Sequence, residues 1–131
     1  ALFLPWVYAV LMARNETKLW RKFKEKTPNI IWTRIENSAS LGTPDLLGYN
    51  KNNTFFTVEM KVIKRYFKFS PHQKSFHIRH PKNSFILAET LEPCSVKLYE
   101  GNQILSLVSC TVVPEPLACD FDYISLYLDR L

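Results

Sequence analysis

One run of residues limits the fold more than any other. Thr54-Phe55-Phe56-Thr57-Val58-Glu59-Met60-Lys61-Val62 is rich in β-branched and aromatic residues and reads as a buried strand. Side chains two apart on a strand share a face. Thr57, Glu59 and Lys61 therefore point one way, while Val58, Met60 and Val62 pack behind. Upstream, Gly42-Thr43-Pro44-Asp45 closes the preceding segment, and thirteen residues separate Asp45 from Glu59. A carboxylate and an ammonium side by side on a strand, with a second carboxylate delivered by the segment before it, form a constellation suited to metal-dependent hydrolysis.

The chemistry follows from the residue types. Asp45 and Glu59 can together hold a hard divalent cation, since Mg²⁺ prefers one or two carboxylates plus waters and phosphate oxygens. Such a cation lowers the pKa of bound water and polarises a phosphoryl oxygen. Lys61 can orient the attacking water or offset charge building at phosphorus. Each half alone has an ordinary explanation. An Asp after Pro is often a turn residue, and Glu-x-Lys on a strand is often a solvated ion pair. Both halves together, separated by the turn signal Asn50 to Asn53, point to catalysis.

The rest of the chain predicts a mixed α/β core with helices packed on a central sheet. Asn15 has the look of an N-cap, followed by a helix to Lys26 that carries Leu19, Trp20 and Phe23 on one face and ends before Pro28. Asn29 to Glu36 alternates as a first strand, Asp45 to Tyr49 as a second, and the Glu-x-Lys run as a third. Ser70 caps a second helix, with Pro71 first in it and Gln73 completing a capping box. Asn83 to Glu89, Ser95 to Glu100 and Ile104 to Val113 read as further strands, and Asp120 to Leu131 as a terminal helix.

These pieces resemble the PD-(D/E)xK nuclease superfamily, with Pro44-Asp45 and Glu59-Met60-Lys61 as its two halves. The likeness is nearest to the VRR-NUC and archaeal Holliday-junction-resolvase-like branch. There a Gly-x-Pro-Asp element, a Glu-x-Lys strand and a helix opening near Ser-Pro-x-Gln follow in order. Here they read Gly42 to Gly48, Val58 to Val62, and Ser70-Pro71-His72-Gln73. The resemblance spans about residues 14–100. It implies a restriction-endonuclease-like core and a Mg²⁺- or Mn²⁺-dependent deoxyribonuclease, selective for branched DNA structure over sequence. It implies Asp45, Glu59 and Glu16 as metal ligands, Lys61 as the catalytic lysine, and Gln73 as a helix-borne residue contacting water or phosphate. Glu36 competes with Glu16 for the third carboxylate, and a Glu at the start of a helix is favoured by the macrodipole in any case. Resolvases of this look act as dimers. The strand from Ile104 and the tail residues Phe121, Tyr123, Tyr127 and Leu128 offer an apolar surface for that.

Charge is distributed to match a polyanion. Residues 14–82 hold fifteen Lys and Arg against five Asp and Glu, whereas the remainder holds two against seven. Lys64, Arg65, Lys68, Lys74, Arg79 and Lys82 are the expected phosphate contacts, with Tyr66, Phe67 and Phe69 interleaved as partners for bases or as core. His72, His77 and His80 have no zinc spacing and read as part of this basic surface. Three glycines and no phosphate loop exclude a nucleotide-driven motor. Cys94, Cys110 and Cys119 have no paired spacing, which points to a reducing, intracellular setting without structural disulfides.

One domain is expected over residues 1–131, closed by an acidic and aromatic tail from 117. The apolar stretch Ala1 to Met12 is too short to span a bilayer, is interrupted by Pro5, and lacks a basic leader. Residues 1–11 read as an extension upstream of a start at Met12, or as an element closing the core. The reading overall is a DNA endonuclease with no membrane partner. The competing class is a nuclease-like fold that grips nucleic acid without cutting it.

Overall fold

The structure is a computed structural model and describes residues 5–35, 41–91, 93–109 and 114–131. Helix α1 (Pro5–Lys26) leads into strand β1 (Ile31–Arg34), the hairpin β2 (Leu46–Tyr49) and β3 (Phe55–Ile63), and helix α2 (Pro71–Arg79). Strands β4 (Ser84–Leu91) and β5 (Cys94–Glu100), a 3₁₀ turn (Gly101–Gln103), helix α3 (Ile104–Ser109), strand β6 (Ala118–Cys119) and helix α4 (Phe121–Asp129) complete it. The six strands form one mixed sheet in sequence order, flanked by helices. Every neighbouring pair is antiparallel except β3–β4, which runs parallel around α2.

A strand covered on both faces needs two separate apolar layers, and β3 has them. Val58, Met60 and Val62 meet Leu19 and Phe23 of α1 and Ile124 and Leu128 of α4 in the larger core. Leu19 and Phe23 are four apart, so one stripe of α1 supplies both contacts. Deleting either side chain to alanine carries a cost of about 2–5 kcal/mol. Aromatic rings extend this layer across the sheet: Trp20 meets Trp32 edge-on, Trp32 meets Phe56, Phe56 meets Phe85, and Phe85 meets Tyr127. On the other face, Phe69, Ile86, Ala88 and Tyr99 pack with Ile104 and Leu107 of α3. Glu59 and Lys61 look out from β3 on this second side, beside Ile86 and Ala88 of β4.

Three expectations need correction. Helix α1 does not begin at Asn15. It starts at Pro5 and runs through Asn15 without a break. Pro5 interrupts nothing, because the first helical position requires no N–H; residues 5–11 belong to the same helix as Leu19. The stretch from Ile104 is helical over Ile104–Ser109 and not a strand, its buried Ile104 and Leu107 spaced three apart with Leu105 exposed between them. Residues 110–113, the rest of that expected strand, lie outside the described residues, as does Cys110. His77 is fully buried and not on a basic surface. Its Nδ1 lies 2.8 Å from Ser84 Oγ, and the 3₁₀ turn after β5 passes close to it at Gly101. A Cβ on Gly101 would stand 2.5 Å from His77 Nδ1 and 2.6 Å from the Ser84 carbonyl oxygen, so only glycine lets the chain pass there.

The terminal helix is present and is tied to the β2–β3 turn. Asn50 Nδ2 donates to the carbonyls of Leu128 and Leu131, while its Oδ1 accepts from Asn52 and Thr54 N–H. Leu128 is buried in the chain's own core and Phe121 and Tyr127 pack against it, leaving Tyr123 as the exposed one of the four tail residues. Cys94 and Cys119 are exposed free thiols. No described helix is long and apolar enough to cross a membrane.

Candidate active site

The β2–β3 hairpin sets the two carboxylates opposite each other. Leu46 pairs with Val58, so the antiparallel register puts Asp45 across from Glu59. Asp45 Oδ2 accepts the Met60 N–H at 2.8 Å, and its own carbonyl accepts from Ile35 N–H at 2.8 Å, fixing the residue between β1 and β3. The loop before it is held close to α2. Gly42 has φ +82°, and a Cβ there would stand 2.4 Å from the backbone of His72. Pro44-Asp45 thus arrives beside the first turn of α2, the element that carries Gln73.

Gln73 joins the parts. As third residue of α2 its Oε1 accepts the Ser70 N–H at 2.9 Å, while its own N–H donates to Ser70 Oγ at 3.1 Å, which completes the capping box. Its Nε2 donates to Glu59 Oε1 at 2.8 Å. Lys61 Nζ reaches Gln73 Oε1 at a long 3.5 Å and lies 5.0 Å from the centre of the Phe69 ring. Asp45, Glu59, Lys61 and Gln73 are therefore brought together, as the sequence predicts.

The electrostatics are those of crowded, buried acids. Burial pushes the Glu59 carboxyl up to about 9, the negative charge of Asp45 adds to this, and Lys61 opposes it. Burial also raises Asp45, opposed by the Met60 N–H and the charges of Lys61 and Arg34. Glu16 is raised by burial and by Asp45. Near neutral pH Glu59 therefore holds a proton. Glu59 Oε2 is buried and makes no well-formed hydrogen bond with the described residues, its neighbours being the Asp45 carboxyl and N–H, which is costly unless a closer partner engages it.

Glu16 lies within the field of Asp45 and Lys61, and it sits twelve residues into α1 rather than at its start. The macrodipole therefore does not explain it, since that effect fades within the first turn. Glu36 lies outside the described residues. Among the described residues no group of three or more His, Cys, Asp or Glu side chains is assembled at ligand distance. The Asp45–Glu59 pair still fits a hard divalent cation, which needs only one or two carboxylates beside water and substrate oxygens. The free Glu59 Oε2 is the atom that supports the fit.

A cleft of about 510 Å³ opens at Glu16 and Lys61 and is lined further by Val62, Ile63, Lys64, Arg65, Tyr66 and Lys68; Asp45, Glu59 and Gln73 do not line it. Arg79 and Lys82 are not part of it. They lie at and beyond the far end of α2, Arg79 six residues and about 9 Å along the helix from Gln73. Lys74 is half-buried next to Gln73. A larger hollow of about 710 Å³ between β6 and α4 carries none of these residues, so the location of the acids marks the site and not the size of the depression. Arg34, whose charge acts on Asp45 and Glu16, is a site residue that no motif in the sequence singles out. Its position at the end of β1, paired with Leu46, was the available signal.

No family model matches the chain, and no curated protein matches it in sequence.

Proposed function

We propose that the protein is a divalent-metal-dependent endonuclease that hydrolyses DNA phosphodiester bonds, built on a restriction-endonuclease-like core and selective for branched or otherwise irregular DNA. The observation that carries this reading is the facing Asp45–Glu59 pair, Glu59 buried with an under-satisfied oxygen and Asp45 half-buried beside it, with Lys61 two residues on along the same strand face. Asp45 and Glu59 would hold the Mg²⁺ or Mn²⁺ ion, with Glu16 the further carboxylate nearby. Such an ion would supply Lewis-acid activation of water and charge neutralisation at phosphorus. Glu59 would bind it as the carboxylate, its proton released to solvent, and Gln73 Nε2 keeps that carboxylate aimed. Lys61 orients the attacking water and offsets charge on the phosphoryl oxygens. Lys64, Arg65 and Lys68 seat the DNA backbone, so binding should weaken with salt at about −0.9 log units per log unit for each phosphate neutralised. An intracellular setting, in the cytoplasm or with the nucleoid, goes with this reading.

The test is direct. Labelled four-way, flapped and linear DNA are incubated with the pure protein and Mg²⁺ or Mn²⁺, alongside Asp45→Ala and Lys61→Ala. Cutting by the wild type alone is expected. No cutting of any DNA or RNA with either metal removes the enzymatic reading.

One observation favours a second reading, a nuclease-like module that binds nucleic acid without cutting. No third ligand is assembled with the Asp45–Glu59 pair among the described residues. Calorimetry separates the two: DNA affinity without divalent-metal affinity supports the module.

A further inference from the structure

We infer that Tyr66 is a stacking platform for an unpaired base, which makes DNA with a single-stranded segment at the site the preferred substrate. The inference rests on the DNA-facing reading of the same cleft and narrows it. Three aromatic residues follow the catalytic strand, and the structure divides them. Phe67 stacks on Phe69 with centroids 5.8 Å apart and planes 10° apart, and it meets Tyr99 edge-on at 6.0 Å. Phe69 is buried beneath Lys61. Both rings are used up in the second core. Tyr66 is 65% exposed and forms part of the cleft wall.

An exposed aromatic ring alone means little. Its setting is what matters. The cleft places Tyr66 among Lys61, Lys64, Arg65 and Lys68, with Glu16 as the acid in the same lining. Cations neutralise the phosphates of paired and unpaired strands alike, whereas a ring takes any base that offers a free face. In a duplex those faces are already stacked on each other. A ring set among phosphate-binding cations therefore discriminates for unpaired nucleotides. The dimensions agree: about 510 Å³ lies within the roughly 300–1,000 Å³ of clefts that take one small ligand. That is room for about one nucleotide against the ring. An acidic peptide would use the same cations and leave the ring without a role, so the nucleic acid is favoured.

The experiment measures binding apart from cutting. Fluorescence anisotropy of a labelled oligothymidylate, with chelator present, is compared for wild type, Tyr66→Ala and Tyr66→Phe, and repeated with an abasic oligomer of equal length. Tyr66→Ala should weaken thymidylate binding about 5- to 150-fold, the span for one stacked base, while Tyr66→Phe stays near wild type. The abasic oligomer should bind the wild type weakly and lose nothing further with Tyr66→Ala. Unchanged affinity in Tyr66→Ala at unchanged melting temperature overturns the inference, as does a wild type that does not bind the oligomer. Displacement of the oligomer by polyglutamate at equal charge, with no effect of Tyr66→Ala, overturns it in favour of an acidic protein. The outcomes stay separate from the nuclease reading. A wild type that cuts DNA while Tyr66→Ala binds normally keeps the enzyme and removes the platform. A wild type that cuts nothing while Tyr66→Ala loses binding keeps the platform and removes the enzyme.

Discussion

Asn50 and Glu59 are equally buried, each 3% exposed, and the fold treats them in opposite ways. Asn50 has both ends of its amide engaged, donating to two carbonyls near the end of α4 and accepting from two N–H groups of its own turn. Glu59 has one oxygen held by Gln73 and one with no well-formed hydrogen bond from the described residues. A missing partner costs a buried polar group about 1–3 kcal/mol; His77 Nε2 and Asp129 Oδ1 also lack one among the described residues, and Glu59 differs from them in standing among other acids. A buried acid left short, among other acids, lowers stability unless a ligand restores it. That contrast within one molecule is the strongest physical argument for reading Glu59 as functional.

Four measurements can break or sharpen the contrast. The largest effect is expected from Glu59→Gln, which keeps the shape and removes the charge. DNA cleavage should fall by more than about 100-fold, beyond the range for losing an outer-shell partner. The metal-free variant should also melt at higher temperature than wild type at pH 8–9. Wild-type cleavage by Glu59→Gln would end the metal assignment. Gln73→Ala should lower cleavage by about 10–100-fold by freeing the Glu59 carboxylate, and should destabilise α2 by about 1 kcal/mol through loss of the capping box. Rescue of stability but not of activity by Gln73→Glu would separate the two roles.

Asn50→Ala should do the reverse of Glu59→Gln. It should cost about 1–3 kcal/mol in chemical denaturation while leaving cleavage by the folded protein unchanged. A loss of activity without a loss of stability would show that the two sites are not independent.

The last measurement is a pH profile of melting in chelator. A carboxyl raised in the folded state stabilises fully below its ordinary 4.5, and that contribution is lost as pH rises through about 9. Asp45 and Glu16 are raised as well and slope the same way. His77 works in the opposite direction: burial lowers it to about 4, helped by the charge of His80. Its contribution is complete above its ordinary 6.5 and is lost as pH falls through about 4. Melting temperature should therefore decline on the alkaline side of 6.5 in wild type, and much less so in Glu59→Gln. Identical alkaline slopes in the two proteins would contradict the elevated Glu59 carboxyl.

The parts of the site that could be read from sequence are those fixed by local rules. Strand alternation placed Glu59 and Lys61 on one face, a turn signal set Asp45 on the facing strand, and a capping box put Gln73 in the first turn of α2. Nothing local says which way a helix will roll once it docks, so burial of His77 against Ser84 and Gly101 was invisible. The Ile104 stretch failed for a related reason. A short apolar run suits strand and helix equally, and a 3₁₀ turn just before it settled the matter in favour of helix. Asn15 misled because a good cap residue is also tolerated inside a helix whose far end is anchored by packing, as α1 is by Leu19 and Phe23. Two-residue β6 is too short to leave a pattern at all.

The dual use of Gln73 makes the start of α2 a gauge of the site's charge. Its carboxamide is shared between the Ser70 amide and the Glu59 carboxyl, so a change at Glu59 is felt in the backbone of the first helical turn. An ionised Glu59 grips Nε2 more tightly than a protonated one, which steadies the amide that Ser70 depends on. Hydrogen–deuterium exchange at Ser70 and Gln73, corrected for intrinsic pH dependence, should slow as Glu59 loses its proton or gains a cation. Exchange that ignores both would mean the helix cap and the carboxylate are merely neighbours. Two backbone amides would thereby report the loading of the site without any substrate present.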